Sequence, residues 1–215
     1  MLKMNAERND IVLYGKKLIT SHLTTGSGGN LSVINREVGL IAISPSGIEY
    51  FDMQPEDIVI VDLDGNVKQG KCIPSSELSA HIALYRQRED IHAVIHTHSV
   101  YATTIACLNW ELPAVHYLVG FAGTKVPLAP YATYGSRELA ENICKTIGLS
   151  NAVLLANHGL IAVGNDLKTA FAIAEEIELV AQIFYQAKSA GEPVILPDEE
   201  MIRVIDKLKQ YGQAQ

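Results

Sequence analysis

The chain has 215 residues, 48% hydrophobic and 19% charged, with a formal net charge of -7. That length and apolar content suffice for one domain with a real core, and the acidic balance argues against nucleic acid or an anionic membrane as partner, since either needs a basic face. A phosphorylated small molecule stays open, because backbone amides can hold phosphate without global positive charge.

The elements follow in chain order. DIVLYGKKLITSHL (10–23) carries apolar residues near helical spacing behind Asp10 as a cap. GSGGNLSVI (26–34) is a glycine-rich turn entering a strand, and VGLIAISPSG (38–47) is a strand ending in a Ser-Pro turn. DIVIVDLDGNV (57–67) reads as a strand with an Asp-Gly hairpin signal. PSSELSAHIALYRQR (74–88) reads as a helix entered through proline and serine, AVIHTH (93–98) as a buried strand, and SVYATTIACLN (99–109) as the helix behind it. KVPLAPYATYG (125–135) is strand then turn, and SRELAENICKTIG (136–148) a capped helix closed by Gly148. AVLLANHGLIAVG (152–164) places two apolar strands around Asn157, His158 and Gly159. DLKTAFAIAEEIELVAQIFYQAKSAG (166–191) is the clearest helix, and a last short one follows Pro197 and ends near Tyr211. Without repeat or linker, a single α/β domain over 1–215 is expected.

Cys72, Cys107 and Cys144 form no CxxC pair, which suits a reducing cytosol. The amino terminus lacks an apolar signal core, and no run reaches the ~18 apolar residues of a membrane span. A cytoplasmic protein without a membrane partner is expected.

Seven histidines are present. His96 and His98 stand at i and i+2 of a strand, so they point the same way and could share one metal ion. The spacing equally suits two unrelated polar residues at a strand end. His158 sits at a turn between two strands apolar enough to be central, either as a third imidazole or as a turn residue bonding its own backbone. Glu77, beside Ser75 and Ser76, either complements a helix dipole or supplies a carboxylate for metal or proton. His81, one turn on, reads as a packing or supporting residue. His22 and His92 read as surface. Three polar stretches, Gly28-Gly29-Asn30, Ser44-Pro45-Ser46-Gly47 and Pro74-Ser75-Ser76, offer amides and hydroxyls, the last at a helix start suited to an anion. Each is also an ordinary turn, and none is a nucleotide loop.

Taken in order, GGNLS, SPSG, PSSE, HTHS and NHGL resemble the class II aldolase/adducin family, with HYLVG (116–120), PYATYGSREL (130–139) and KQYG (209–212) extending the likeness over nearly the whole chain. The motifs are most similar to its L-fuculose-phosphate-cleaving branch. The resemblance implies a three-layer α/β/α fold on a largely antiparallel sheet. It implies one Zn²⁺ per subunit and a homotetramer with active sites at subunit interfaces. The implied reaction is reversible cleavage of L-fuculose 1-phosphate, a phosphorylated ketose, to dihydroxyacetone phosphate and L-lactaldehyde. By position, His96, His98 and His158 match the zinc histidines, and Glu77 matches the glutamate that ligates zinc and then acts as acid/base. Gly29, Asn30, Ser46, Gly47, Ser75 and Ser76 match the phosphate-binding positions. Tyr117 matches a tyrosine lent by a neighbouring subunit, Tyr134 an aldehyde-pocket aromatic, and Tyr211 the aromatic of a carboxy-terminal tail. Serines at 44 and 46 replace the usual threonines, and Tyr134 replaces a common phenylalanine. Other activities of the family are L-ribulose-5-phosphate 4-epimerase, which has Ser-Ser-Asp where Glu77 stands, and methylthioribulose-phosphate dehydratase. The non-enzymatic relatives are adducin-like scaffold domains, which lack the zinc set.

Overall fold

The computed structural model describes residues 3–210. Helix α1 (Asn5–Thr20) precedes strands β1 (Asn30–Asn35), β2 (Leu40–Ile43), β3 (Val59–Asp62) and β4 (Val67–Gln69). Then come α2 (Leu78–Gln87), β5 (Ala93–Thr97), α3 (Val100–Cys107), a 3₁₀ turn (Tyr117–Phe121), β6 (Leu128–Ala129) and α4 (Arg137–Ile147). The hairpin β7 (Ala152–Leu155) and β8 (Gly159–Gly164) leads to α5 (Leu167–Ala190) and α6 (Asp198–Lys209). Among the described residues eight strands form one sheet, ordered β4-β3-β2-β1-β5-β8-β7-β6, and only the β6–β7 pair is parallel.

Strand alternation feeds two cores. Ala42, Ile95 and Ala162 point to the layer holding α1, α3 and α5, among Ile11, Ile105 and Ile177. Their neighbours Ile41, Val94 and Ile161 point the other way, among Leu84 of α2 and Ile143 of α4. A sheet covered on both faces needs apolar residues at every position, which is why β5, β7 and β8 read as unbroken apolar runs rather than as alternation. This is the three-layer α/β/α arrangement expected from the resemblance. Among the described residues no helix is long and apolar enough to cross a membrane.

Several boundaries differ from expectation, each for a local reason. Helix α1 begins at Asn5, so Asp10 lies inside it rather than capping it. Its first turn is drawn inward by Arg8, fully buried, whose guanidinium donates to the carbonyls of Pro55 and Ile58 at 2.8 and 2.5 Å. Helix α2 begins at Leu78 rather than near Pro74. The amide of Ser75 donates to the Ser44 carbonyl at 3.1 Å and that of Ser46 to the Ile73 carbonyl at 2.9 Å, so residues 74–76 belong to a bridge between two turns. The 3₁₀ turn over HYLVG had no periodic signal, and Tyr211 lies outside the described residues.

Candidate functional site

Two central strands and one helix start converge on the site. β5 lies between β1 and β8, and Asn30 pairs across with His96 in register. His96 shares the face of Val94, the side covered by α2, so the residue capping α2 looks towards it. That residue is Glu77, mostly buried, immediately before the helix rather than within its first turn. His98 follows the strand end on the same side. His158 reaches in from the β7–β8 hairpin, where Asn157 adopts φ 54°, a left-handed conformation asparagine tolerates.

The three imidazoles meet. One nitrogen from each of His96, His98 and His158 lies within 4.8 Å of the others. His96 Nε2 is 2.9 Å from His98 Nε2 and 3.1 Å from Glu77 Oε2, while His158 Nε2 is 3.5 Å from Glu77 Oε1. A tetrahedral zinc with bonds of ~2.0–2.1 Å holds its ligand atoms ~3.3 Å apart, so these separations bracket the requirement. The donor set also needs a cation. His96 Nδ1 lies 3.0 Å from the Leu160 carbonyl, which can only accept, so Nδ1 carries the proton and Nε2 presents a lone pair to the carboxylate. Two lone pairs at that distance repel unless a positive ion sits among them. These residues fit a divalent metal.

The electrostatics agree. Loss of water contact, then the His96 and His158 rings, push His98 down to about 4. Burial, then His96, does the same to His158, also to about 4. Both rings are therefore neutral ligands at pH 7. Burial works to raise the Glu77 carboxyl, but positive charge placed among the His96 and His158 rings, with the Asn30 amide, outweighs it and holds it well below the usual carboxylate range. The Asn30 side chain donates to Glu77 Oε2 at 2.9 Å, and its other end meets His81.

A pocket of about 390 Å³ opens over this cluster. The three polar turns line it together, with Gly29, Asn30, Ser46, Gly47, Ser75 and Ser76 facing the same space as Glu77, His98 and His158. No lysine or arginine is among the described residues lining it. An anion there would be held by amides and hydroxyls at the start of α2. Tyr134 lines the pocket, and so does Tyr131, which carried no signal in the sequence although both lie in one PYATYG turn. Tyr117 is not brought in: it stands on the 3₁₀ turn, half exposed, with its ring against His116. Neither His22 nor His92 joins the cluster.

Gly29 shows how tightly the turn sits on the strand. It has φ 69°, and a Cβ there would lie 2.5 Å from the His96 carbonyl oxygen. Gly29→Ala is therefore expected to destabilise the fold by about 2–4 kcal/mol, combining left-handed strain with a backbone clash. Urea unfolding measures this, and a variant within about 0.5 kcal/mol of the parent would refute the close packing.

The chain is similar to a family, to two relatives and to a solved structure. The family described as "Class II Aldolase and Adducin N-terminal domain" matches residues 9–185. A 5-deoxy-D-ribulose 1-phosphate aldolase of Bacillus thuringiensis serovar kurstaki is 57% identical over 210 residues, covering 98% of this chain and 99% of that protein. An L-fuculose phosphate aldolase of Escherichia coli (strain K12) is 41% identical over 192 residues, 88% of each chain. A solved structure titled L-fuculose 1-phosphate aldolase superposes with a TM-score of 0.94 at 49% identity, covering 97% of this chain and 98% of that one.

Proposed function

Because the chain belongs to the class II aldolase and adducin family, whose aldolases are metal-dependent, we propose that it splits a ketose 1-phosphate with a deoxygenated terminal carbon, releasing dihydroxyacetone phosphate and a short methyl-ended aldehyde. The observation that carries this reading is one pocket joining a three-histidine cluster and a carboxylate to a neutral anion cradle. Substrate phosphate and reacting carbons would then be gripped by different walls of the same space.

The substrate placed first is 5-deoxy-D-ribulose 1-phosphate, which cleaves between C3 and C4 to dihydroxyacetone phosphate and acetaldehyde. The 57% relative over nearly the whole of both chains supports that order. L-Fuculose 1-phosphate, the expectation from sequence, is the second reading. It is supported by the 41% relative and by the TM-score of 0.94. The two sugars share the phosphate, the ketone and the methyl end, and differ by one hydroxylated carbon in the aldehyde. That carbon would face Tyr131 and Tyr134, both exposed at the pocket mouth.

His96, His98, His158 and Glu77 would hold one zinc ion. When bound, zinc supplies Lewis-acid stabilisation, worth several kcal/mol, for the negative charge left on the ketone fragment. The turns at Gly29-Asn30, Ser46-Gly47 and Ser75-Ser76 bind the phosphate, so that binding energy from a non-reacting end fixes the reacting carbons. In the cleavage direction Tyr117 of a neighbouring subunit exchanges the proton of the C4 hydroxyl, which becomes the aldehyde. Glu77 delivers a proton to C3 as the C3–C4 bond breaks, and removes it in the reverse direction. Protons balance: the one Tyr117 takes from the C4 oxygen leaves to solvent, and Glu77 draws from solvent the one it gives to C3. The Tyr117 ring, half exposed and away from its own pocket, supports a homotetramer with sites at subunit interfaces. The tail with Tyr211 belongs to the same reading, as does a cytoplasmic setting.

Incubating the purified protein with each sugar phosphate and assaying dihydroxyacetone phosphate tests this. Expected is cleavage of both, with the higher kcat/KM for the five-carbon sugar, loss on chelation and recovery on adding zinc. Failure to release dihydroxyacetone phosphate from either sugar, or turnover indifferent to chelator, would refute the reading.

A further inference from the structure

Behind Glu77, running inward from the pocket-lining Asn30, lies a file of buried polar side chains that the proton transfers above do not use. Two periodicities assemble it. Glu77, His81 and Tyr85 recur every four residues along α2 and its cap, a step of ~6 Å on one stripe. Asn30 and Ser32 alternate on one face of β1, a step of ~6.6 Å. Nearly equal steps let the stripe lie along the strand and pair rung by rung.

The bonds have one direction. A carboxylate only accepts, so the Asn30 amide nitrogen faces Glu77 Oε2, at 2.9 Å, and its oxygen faces back. That oxygen also only accepts, so His81 Nε2, at 2.5 Å from it, carries the ring proton. In the neutral ring His81 Nδ1 is then bare and takes the Ser32 hydroxyl proton at 2.6 Å. The Ser32 oxygen in turn takes the Tyr85 hydroxyl proton at 2.7 Å. Ser32 and His81 are 0% exposed, Tyr85 1% and Asn30 4%, so no water is at hand to satisfy a reversed arrangement. His81 is not among the three clustered imidazoles, and it is not one of the residues lining the pocket.

We propose that His81 is a positioning residue for the acid/base Glu77, acting through Asn30. Its Nε2–H locks the Asn30 amide in one orientation, and that amide pins Glu77 by Oε2. Oε1 is left as the oxygen that meets the substrate carbon. The proposal rests on the aldolase reading only for what Glu77 does; the hydrogen-bond direction stands apart from it.

Two measurements test it. In metal-free protein carrying ¹⁵N-labelled histidine, the His81 resonances should show the Nε2–H tautomer at neutral pH, and the Nδ1–H tautomer would overturn the proposal. Exchange of the C3 proton of dihydroxyacetone phosphate into deuterated water then reads the Glu77 step without any aldehyde. His81→Phe, which removes the donor, should slow exchange about 10–100-fold. Zinc content and calorimetric affinity for dihydroxyacetone phosphate should stay within about twofold of the parent, since the three imidazoles are unaltered and the turns, with the Asn30 backbone amide, still face the phosphate. His81→Gln, which restores an N–H near the Nε2 position, should recover most of the loss. If His81→Phe does not fold, Ser32→Ala serves instead, because freeing Nδ1 weakens the tautomer preference and slows exchange at constant affinity. Unchanged exchange, a glutamine variant no better than phenylalanine, or a loss shared equally by affinity and zinc content would each overturn the proposal. A zinc-loaded parent that exchanges nothing would sink the aldolase reading instead, with the tautomer still deciding on the chain.

Discussion

Glu77→Gln should retain its metal and lose turnover by roughly 10³-fold, the middle of the range for a positioned acid/base group. The side chain keeps its length and shape, and an amide oxygen can still accept the Asn30 hydrogen bond at Oε2. Three imidazoles remain to hold the ion. What disappears is the capacity to carry a proton to and from carbon. Steady-state kinetics on the preferred sugar phosphate, with metal content by mass spectrometry, separates the two roles of this residue. A glutamine variant within about tenfold of the parent would place the proton transfer elsewhere. A variant that loses metal and turnover together would make Glu77 chiefly a ligand.

The second large effect falls on His96. Its ring is 1% exposed, its Nδ1 is tied to the Leu160 carbonyl, and its Nε2 stands nearest both His98 and Glu77. His96→Ala removes one ligand and empties the position nearest both His98 and the buried Glu77 carboxyl. The variant should emerge from dialysis without stoichiometric metal, and its cleavage rate should fall to background. His22→Asn is the matching control, because that residue lies outside the cluster, at φ 56°, where asparagine is at ease. Full metal occupancy in His96→Ala would mean the ion is held by other groups.

The clustering of His96 and His98 was the most legible part of the site in the sequence, because one rule of strand geometry sufficed. Residues two apart in a strand share a face, and a short run of β-branched residues before His96 marked the strand. His158 was legible for a related reason, since apolar runs on both sides of a Asn-His-Gly turn mark a hairpin between central strands. Which strands are neighbours was not legible. The β1–β5 register that sets Asn30 opposite His96 is a long-range pairing, and periodicity within a segment carries no trace of it.

The same limit explains the start of α2. Pro74, Ser75 and Ser76 have the composition of a helix entry, yet a tertiary bridge to the Ser44–Ser46 turn claims their backbone groups first. The polar wall of the pocket is thus two paired turns and a third beside them, rather than a helix cap alone. His81 was read as a supporting residue from its position one turn after Glu77, and its buried bonds to Asn30 and Ser32 agree with that. The length of the chain of partners behind it could not be read, since it depends on a strand and a helix lying parallel at matched steps. Tyr131 was missed because a turn gives no face preference, so nothing in PYATYG separates a pocket-lining aromatic from an exposed one.

The central claim is that His96, His98, His158 and Glu77 grip a single divalent ion at the floor of the sugar-phosphate pocket. Anomalous diffraction at the zinc edge from crystals of the zinc-loaded protein tests it most directly. The account predicts one peak per chain, ~2.0–2.1 Å from one nitrogen of each of the three rings. A peak bound elsewhere, or none among these rings in a protein that still cleaves its sugar phosphate, would contradict it.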